Sequence, residues 1–199
     1  TLYAVWKIQT FTVKFVDALT GSMLSSQTVE WKAKATQPSS NPSKTGYEFL
    51  GWDSLNGTSG ALESAFDFDT QITADTTIYA KWEAETLTIT FNANGGTGAT
   101  VTQTISYDQL QPSVPLTANA FSKEGYNFTG WATSSTGARK YADRETISTS
   151  NWASVRTSET ITLYAVWEIK KFTVTFIDAL DSTTLSSQTV EYNGTITTP

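Results

Sequence analysis

The sequence repeats itself. No other feature constrains its fold as tightly, because a recurring stretch of this size marks beads of one design. Thr1-Leu2-Tyr3-Ala4-Val5-Trp6 returns as Thr77-Ile78-Tyr79-Ala80-Lys81-Trp82 and again as Thr162-Leu163-Tyr164-Ala165-Val166-Trp167, at offsets of 76 and then 85 residues. Phe11-Thr12-Val13-Lys14-Phe15 returns at residues 87–91 and 172–176 with the same two offsets. Residues 24–30 and 185–191 are identical, and Gly46-Tyr47-Glu48-Phe49-Leu50-Gly51-Trp52 recurs as Gly125-Tyr126-Asn127-Phe128-Thr129-Gly130-Trp131. These matches frame the chain. Residues 1–6 read as the last strand of a preceding repeat, 8–82 and 86–167 as complete repeats, and 170–199 as the first hairpin of a following one.

Spacing separates rigid parts from elastic ones. Phe15 to Trp31, Phe91 to Tyr107 and Phe176 to Tyr192 are each 16 residues apart. Trp31 to Trp52 is 21 where Tyr107 to Trp131 is 24, and Trp52 to Trp82 is 30 where Trp131 to Trp167 is 36. Fixed spacing belongs to paired strands, in which a one-residue slip turns every side chain over. The extra residues belong in loops, where lengthening costs little. Phe11, Val13 and Phe15 alternate with Thr12 and Lys14, the period of a half-buried strand. The copies at 87–91 and 172–176 do the same. Turn residues follow, and residues 26–31 pair back as a hairpin. Asn94-Gly95-Gly96 is the strongest of these turn signals. Short strands at 47–49 and 126–128 and a last strand at 77–82 complete each repeat. Residues 150–156 fit either a short helix capped by Ser150 or an irregular inserted loop.

Composition excludes most chemistry. The 199 residues include no Cys and no His. Thiolate nucleophiles, imidazole bases and the common zinc ligand sets are therefore ruled out. The formal charge of −6 repels nucleic acid, and the 13 Lys and Arg do not cluster. No run approaches the ~20 apolar residues of a membrane-spanning helix. With no initiator Met and no leader pattern, the chain reads as part of something longer.

The ordered set at residues 11–15, 27–31, 46–52 and 73–82, with its copies, closely resembles the Listeria–Bacteroides repeat, the B-repeat type of internalin-like bacterial surface proteins. The resemblance implies a mainly β (α+β) fold of tandem small β-grasp-like, ubiquitin-like domains strung on secreted proteins. Residues 132–160 depart from the pattern by being longer.

The candidate residues divide on the same logic. Phe15, Trp52, Trp82, Phe91, Trp131 and Trp167 recur in both repeats and read as core anchors of small domains. Tyr47, Phe49 and Tyr79, with Tyr126, Phe128 and Tyr164, are expected beside them. A row of tryptophans could instead stack on sugar rings. Trp152 has no counterpart and is the one candidate for ligand contact. Asp67 and Asp69 would share a face if their segment were a strand, and could then hold a cation. Asp17, Asn92 and Asp178 follow the first strand and fit a turn role open to Asp and Asn alike. Lys14 is the strand-interior lysine that a Lys–Asn cross-link would need, but Thr90 and Thr175 replace it in the copies.

The expected function is that of a structural or adhesive segment of an extracellular protein at the bacterial cell surface, a semi-rigid stalk or fibre component without enzymatic activity, cofactor or metal. Its expected partners are neighbouring repeats and other copies head-to-tail, through strand addition by residues 1–6. The alternative is a module that binds polysaccharide or a host receptor through the inserted loop and Trp152.

Overall fold

The computed structural model describes residues 1–57, 62–111, 113–149 and 159–198. The chain divides into two compact units, Thr1–Glu85 and Thr86–Pro199. Both are mainly β, and among the described residues the only helical element is one 3-10 turn, Tyr107–Leu110.

Unit 1 holds β1 (Thr10–Asp17), β2 (Met23–Glu30), β3 (Tyr47–Asp53) and β4 (Thr76–Ala84). The sheet order is β2-β1-β4-β3. β1 and β2 form the hairpin, while β1 and β4 run parallel at the centre, from Val13 opposite Thr76 to Asp17 opposite Ala80. The alternation seen in the sequence is realised here. Val13, Phe15, Ile78, Ala80 and Trp82 face one side and are buried. Ala35 and Ile72, with the half-buried Phe66 and Phe68, cover that side from the irregular connections.

Unit 2 holds β5 (Thr86–Asn92), β6 (Val101–Ser106), β7 (Val114–Pro115), β8 (Tyr126–Ala132), β9 (Thr146–Ile147), β10 (Glu159–Ile169), β11 (Lys171–Ile177) and β12 (Thr184–Glu191). Its four-stranded sheet has the order β6-β5-β10-β8, with β5 and β10 parallel. β7 pairs with β9, and β11 with β12. The core is Leu87, Ile89, Phe91, Ile105, Leu163, Ala165 and Trp131, closed by Leu116, Phe121, Tyr141 and Ile147.

Residues 1–6 form no strand here; their copies in β4 and β10 pair with the first strand of their own repeat, and β1 is already flanked by β2 and β4. One expectation changes. Tyr79 and Tyr164 are half-buried rather than buried, because each follows a core residue, Ile78 or Leu163, and strand alternation turns it to the opposite face. Tyr47, Phe49, Tyr126 and Phe128 are half-buried too, at the margin of the core. The helix-or-loop segment 150–156 lies outside the described residues.

Candidate functional site

Each unit is built around the same chain of rings. Phe15 meets Trp52 edge-on at 4.9 Å, Trp52 meets Phe49 at 5.3 Å, and Phe49 meets Trp82 at 5.5 Å. In unit 2 the corresponding centroid distances are 4.7 Å for Phe91–Trp131, 4.9 Å for Phe128–Trp131 and 5.6 Å for Phe128–Trp167. Edge-to-face packing of this kind adds to area burial. Trp52 is 6% exposed and Trp131 is 1% exposed, so neither offers a ring face to a sugar. Phe15, Trp82 and Phe91 are equally buried, and Trp167 is half-buried. Trp152 lies outside the described residues.

The glycine before each buried tryptophan is explained by a bulge. Gly51 and Gly130 have φ of 145° and 146°, where the strand register shifts. A side chain at Gly130 would run into the Tyr141 carbonyl, and one at Gly51 would crowd Leu62. The glycines thus let a loop lie flat on the outer face of β3 or β8.

The carboxylates serve the fold. Asp67 and Asp69 are not a same-face pair on a strand. Asp67 Oδ1 accepts from the Asp69 N–H at 2.8 Å, and Asp69 pairs with Lys34 at 2.7 Å. Among the described residues no group of three or more His, Cys, Asp or Glu could hold a metal ion. Asp17, Asn92 and Asp178 each accept the N–H two residues on, at 2.8 Å, whether the side chain is acid or amide. Asp17 also binds Lys44 at 2.8 Å. Burial raises the Asp17 carboxyl, but the Lys44 ammonium and the N–H groups of Leu19 and Thr20 outweigh it and hold it below the ordinary value.

Sequence reasoning missed the buried charges. Lys14 is exposed, whereas Lys81 and Asp53 are fully buried. Lys81 Nζ donates to the Gly57 carbonyl at 3.0 Å. Asp53 accepts from the N–H groups of Leu55, Glu63 and Ser64 at 2.7, 2.6 and 3.0 Å. Burial raises its carboxyl, and these three donors with the charge of Lys81 bring it below the ordinary value. The two residues fasten Leu55, Gly57, Glu63 and Ser64 to the sheet. A signal existed in the repeat alignment: at these two positions the second repeat has Val166 and Ala132.

A shallow recess of about 310 Å³ lies in unit 2, lined by Glu124, Tyr126, Ile169, Tyr192 and Asn193. It is open, and in its lining the Tyr192 phenol donates to Glu124 Oε1. Among the described residues no helix is long and apolar enough to cross a membrane.

Comparison with known proteins finds the family that the motifs resemble. The Listeria-Bacteroides repeat domain matches residues 11–81 and 88–166. A protein named as a membrane protein of Evansella cellulosilytica is 33% identical over the whole of this chain, which spans 27% of its length. Internalin H of Listeria monocytogenes is 33% identical over half of this chain and 17% of its own length. A type 2 repeat of the mucus binding protein MUB from Lactobacillus reuteri covers 81% of the chain at 16% identity and a TM-score of 0.18, a level that carries no argument about the fold. The chain thus spans about a quarter or less of these full-length relatives.

Proposed function

The chain belongs to the Listeria-Bacteroides repeat family, and from that premise we propose that it is a load-bearing spacer of a secreted bacterial surface protein, a stalk or fibre component built of β-grasp-like beads. One observation carries this reading. In each complete repeat the first and last strands lie side by side and parallel, β1 with β4 and β5 with β10. Tension enters through the start of the first strand and leaves through the end of the last. Between parallel neighbours that load shears all the ladder hydrogen bonds together instead of opening them one at a time. Only Glu85 separates β4 from β5, and only Lys170 separates β10 from β11. Such short connections leave little slack for bending.

The β-grasp reading is supported by the β2-β1-β4-β3 order with its parallel centre. Residues 31–46 form an irregular connection between β2 and β3. No enzymatic role is proposed, because the sequence offers no imidazole or thiol and the clustered acids are engaged in turns and ion pairs.

Single-molecule pulling from the two ends tests the spacer. The expected record is two discrete high-force events, one per complete repeat, governed by unfolding rates. Extension at low force without discrete events overturns it. Glycan and receptor binding measured on the same chain and on Trp152→Ala tests the binding module. Specific binding lost in that variant makes the segment a ligand-binding module instead.

A further inference from the structure

Two of the aromatic residues that close hairpins, Trp31 and Tyr192, occupy different surroundings. In unit 2 the β11–β12 hairpin is seated on the turn Glu124-Gly125-Tyr126. Lys170 N–H donates to the Gly125 carbonyl at 2.8 Å, and Tyr192 N–H donates to the Lys170 carbonyl at 2.8 Å. The Tyr192 ring lies directly on Gly125, where any side chain would collide with it. The phenol donates to Glu124 Oε1 at 2.6 Å. Gly125 has φ of 75°, so the turn needs glycine for its backbone as well as for the ring. The next residue, Asn193, has φ of 59°.

Unit 1 presents the same device with its aromatic residue exposed. Trp31 lies 161 residues before Tyr192, and its N–H donates to the Gln9 carbonyl at 2.8 Å, as Tyr192 does to Lys170. Lys32 has φ of 60°, matching Asn193. The hairpin end is therefore built alike, yet Trp31 is 52% exposed. Lys32 Nζ stands 4.3 Å from its centroid.

We infer that Trp31 is the docking residue for the acid-Gly-Tyr turn of another repeat of this kind, its ring on the glycine and its indole N–H on the acid. Indole and phenol are interchangeable in this role, since each joins a flat apolar face to one donor at its rim. Lys32 supplies the charge complementary to a glutamate at the position of Glu124. The inference rests on the tandem arrangement and not on whether the array bears load, so a failed pulling experiment leaves it standing.

The test uses the whole chain, extended. Residues 1–6 repeat residues 162–167 letter for letter. A second copy of 86–161 placed before Thr1 therefore makes a complete added repeat that ends in residues 1–6. The probe is exchange of the Trp31 indole N–H, assigned by its loss in Trp31→Phe. The expected result is slowing by at least roughly tenfold in the extended chain relative to the original one. Replacing the added copy's counterpart of Gly125 with Ala restores fast exchange. Replacing its counterpart of Glu124 with Gln, which keeps the backbone intact, restores part of it. Equal exchange in the original and extended chains overturns the proposal. So does slow exchange that survives both substitutions.

Discussion

Two beads of one design use different chemistry at the same positions. Unit 1 carries a charge at Asp17, Asp53 and Lys81, where unit 2 has Asn92, Ala132 and Val166. Beside the buried tryptophan of β3, Asp53 and Lys81 are both fully buried, where unit 2 has Ala132 and Val166. Beyond β1, Asp17 binds Lys44, while the turn after β5 is held by Asn94, whose Nδ2 donates to the Ser135 and Ala165 carbonyls at 2.8 and 2.9 Å. The order of the four-stranded sheet and the ring chain are retained. The lesson is that the fold specifies a backbone and an aromatic core, whereas the means of fastening a loop to the outer face is free to vary.

The largest effect comes from breaking the buried charges one at a time. Lys81→Val alone leaves Asp53 buried without its countercharge, and Asp53→Ala alone leaves Lys81 so. Each change removes hydrogen bonds to a charged group, and such a bond is typically worth ~1.5–3 kcal/mol. Making both changes together installs the residues of unit 2. The double variant is expected to be more stable than the sum of the single losses by ~1–3 kcal/mol. Hydrogen exchange of the β1 and β4 amides measures the loss in unit 1, with the β5 and β10 amides as an internal control. Strict additivity would show that the two charges do not sense each other, and the contrast between the beads would then be one of packing alone.

Acid sharpens the same contrast with a smaller effect. The Asp17 and Asp53 carboxyls both lie below their ordinary value in the folded state. A depressed carboxyl contributes stability that is complete above the unfolded value of about 3.9 and is lost as pH falls through the folded value. Unit 1 is therefore expected to lose protection before unit 2 as pH falls below about 4. In unit 2 a shifted acid is Asp181, exposed on the β11–β12 turn and outside the complete repeat. Amide exchange followed through the acid range checks the order, and simultaneous loss in both units would show that the carboxylates of unit 1 contribute no net stability.

How much of this was legible follows from what repetition records. The hairpins, the parallel last strand's core face and the ring chain could be read because the same apolar letters return at fixed spacing. The half-burial of Tyr79 and Tyr164 was legible too, since alternation sets them opposite Ile78 and Leu163, but aromatic character masked the period. The absence of a strand at residues 1–6 was not legible from their letters, because pairing depends on a free neighbouring edge. Lys81 and Asp53 were hidden for another reason. A charged letter in a strand reads as a solvated face, and only the loop that covers it, which is irregular and carries no period, turns it into an interior group. The Asp67–Asp69 pair failed in reverse: its alternation suggested a strand, but the side-chain bond from Asp67 to the next turn competes with any ladder.

The smallest expected effect separates the two last-strand tryptophans. Trp167 Nε1 donates to the Ala93 carbonyl at 2.8 Å. Trp82 Nε1 is buried without a hydrogen-bond partner. The cause lies in the hairpin turns. In unit 2 the turn after β5 lies against the indole, and Gly96 passes so close that a Cβ there would stand 2.7 Å from Trp167 Cζ2. In unit 1 the turn is built on the Asp17–Lys44 pair, and Lys44 Nζ stands 5.8 Å from the Trp82 centroid, so a charge faces the ring where unit 2 has a carbonyl. Trp→Phe at each position removes a similar area of ring. At Trp167 it also removes a made hydrogen bond and orphans an acceptor, while at Trp82 it removes a donor that was already unpaired. The loss at Trp167 is therefore expected to exceed that at Trp82 by about 1 kcal/mol. Equal losses, measured by exchange of β10 and β4 amides in the two variants, would mean that Trp82 Nε1 is hydrogen-bonded in solution, most simply to a buried water.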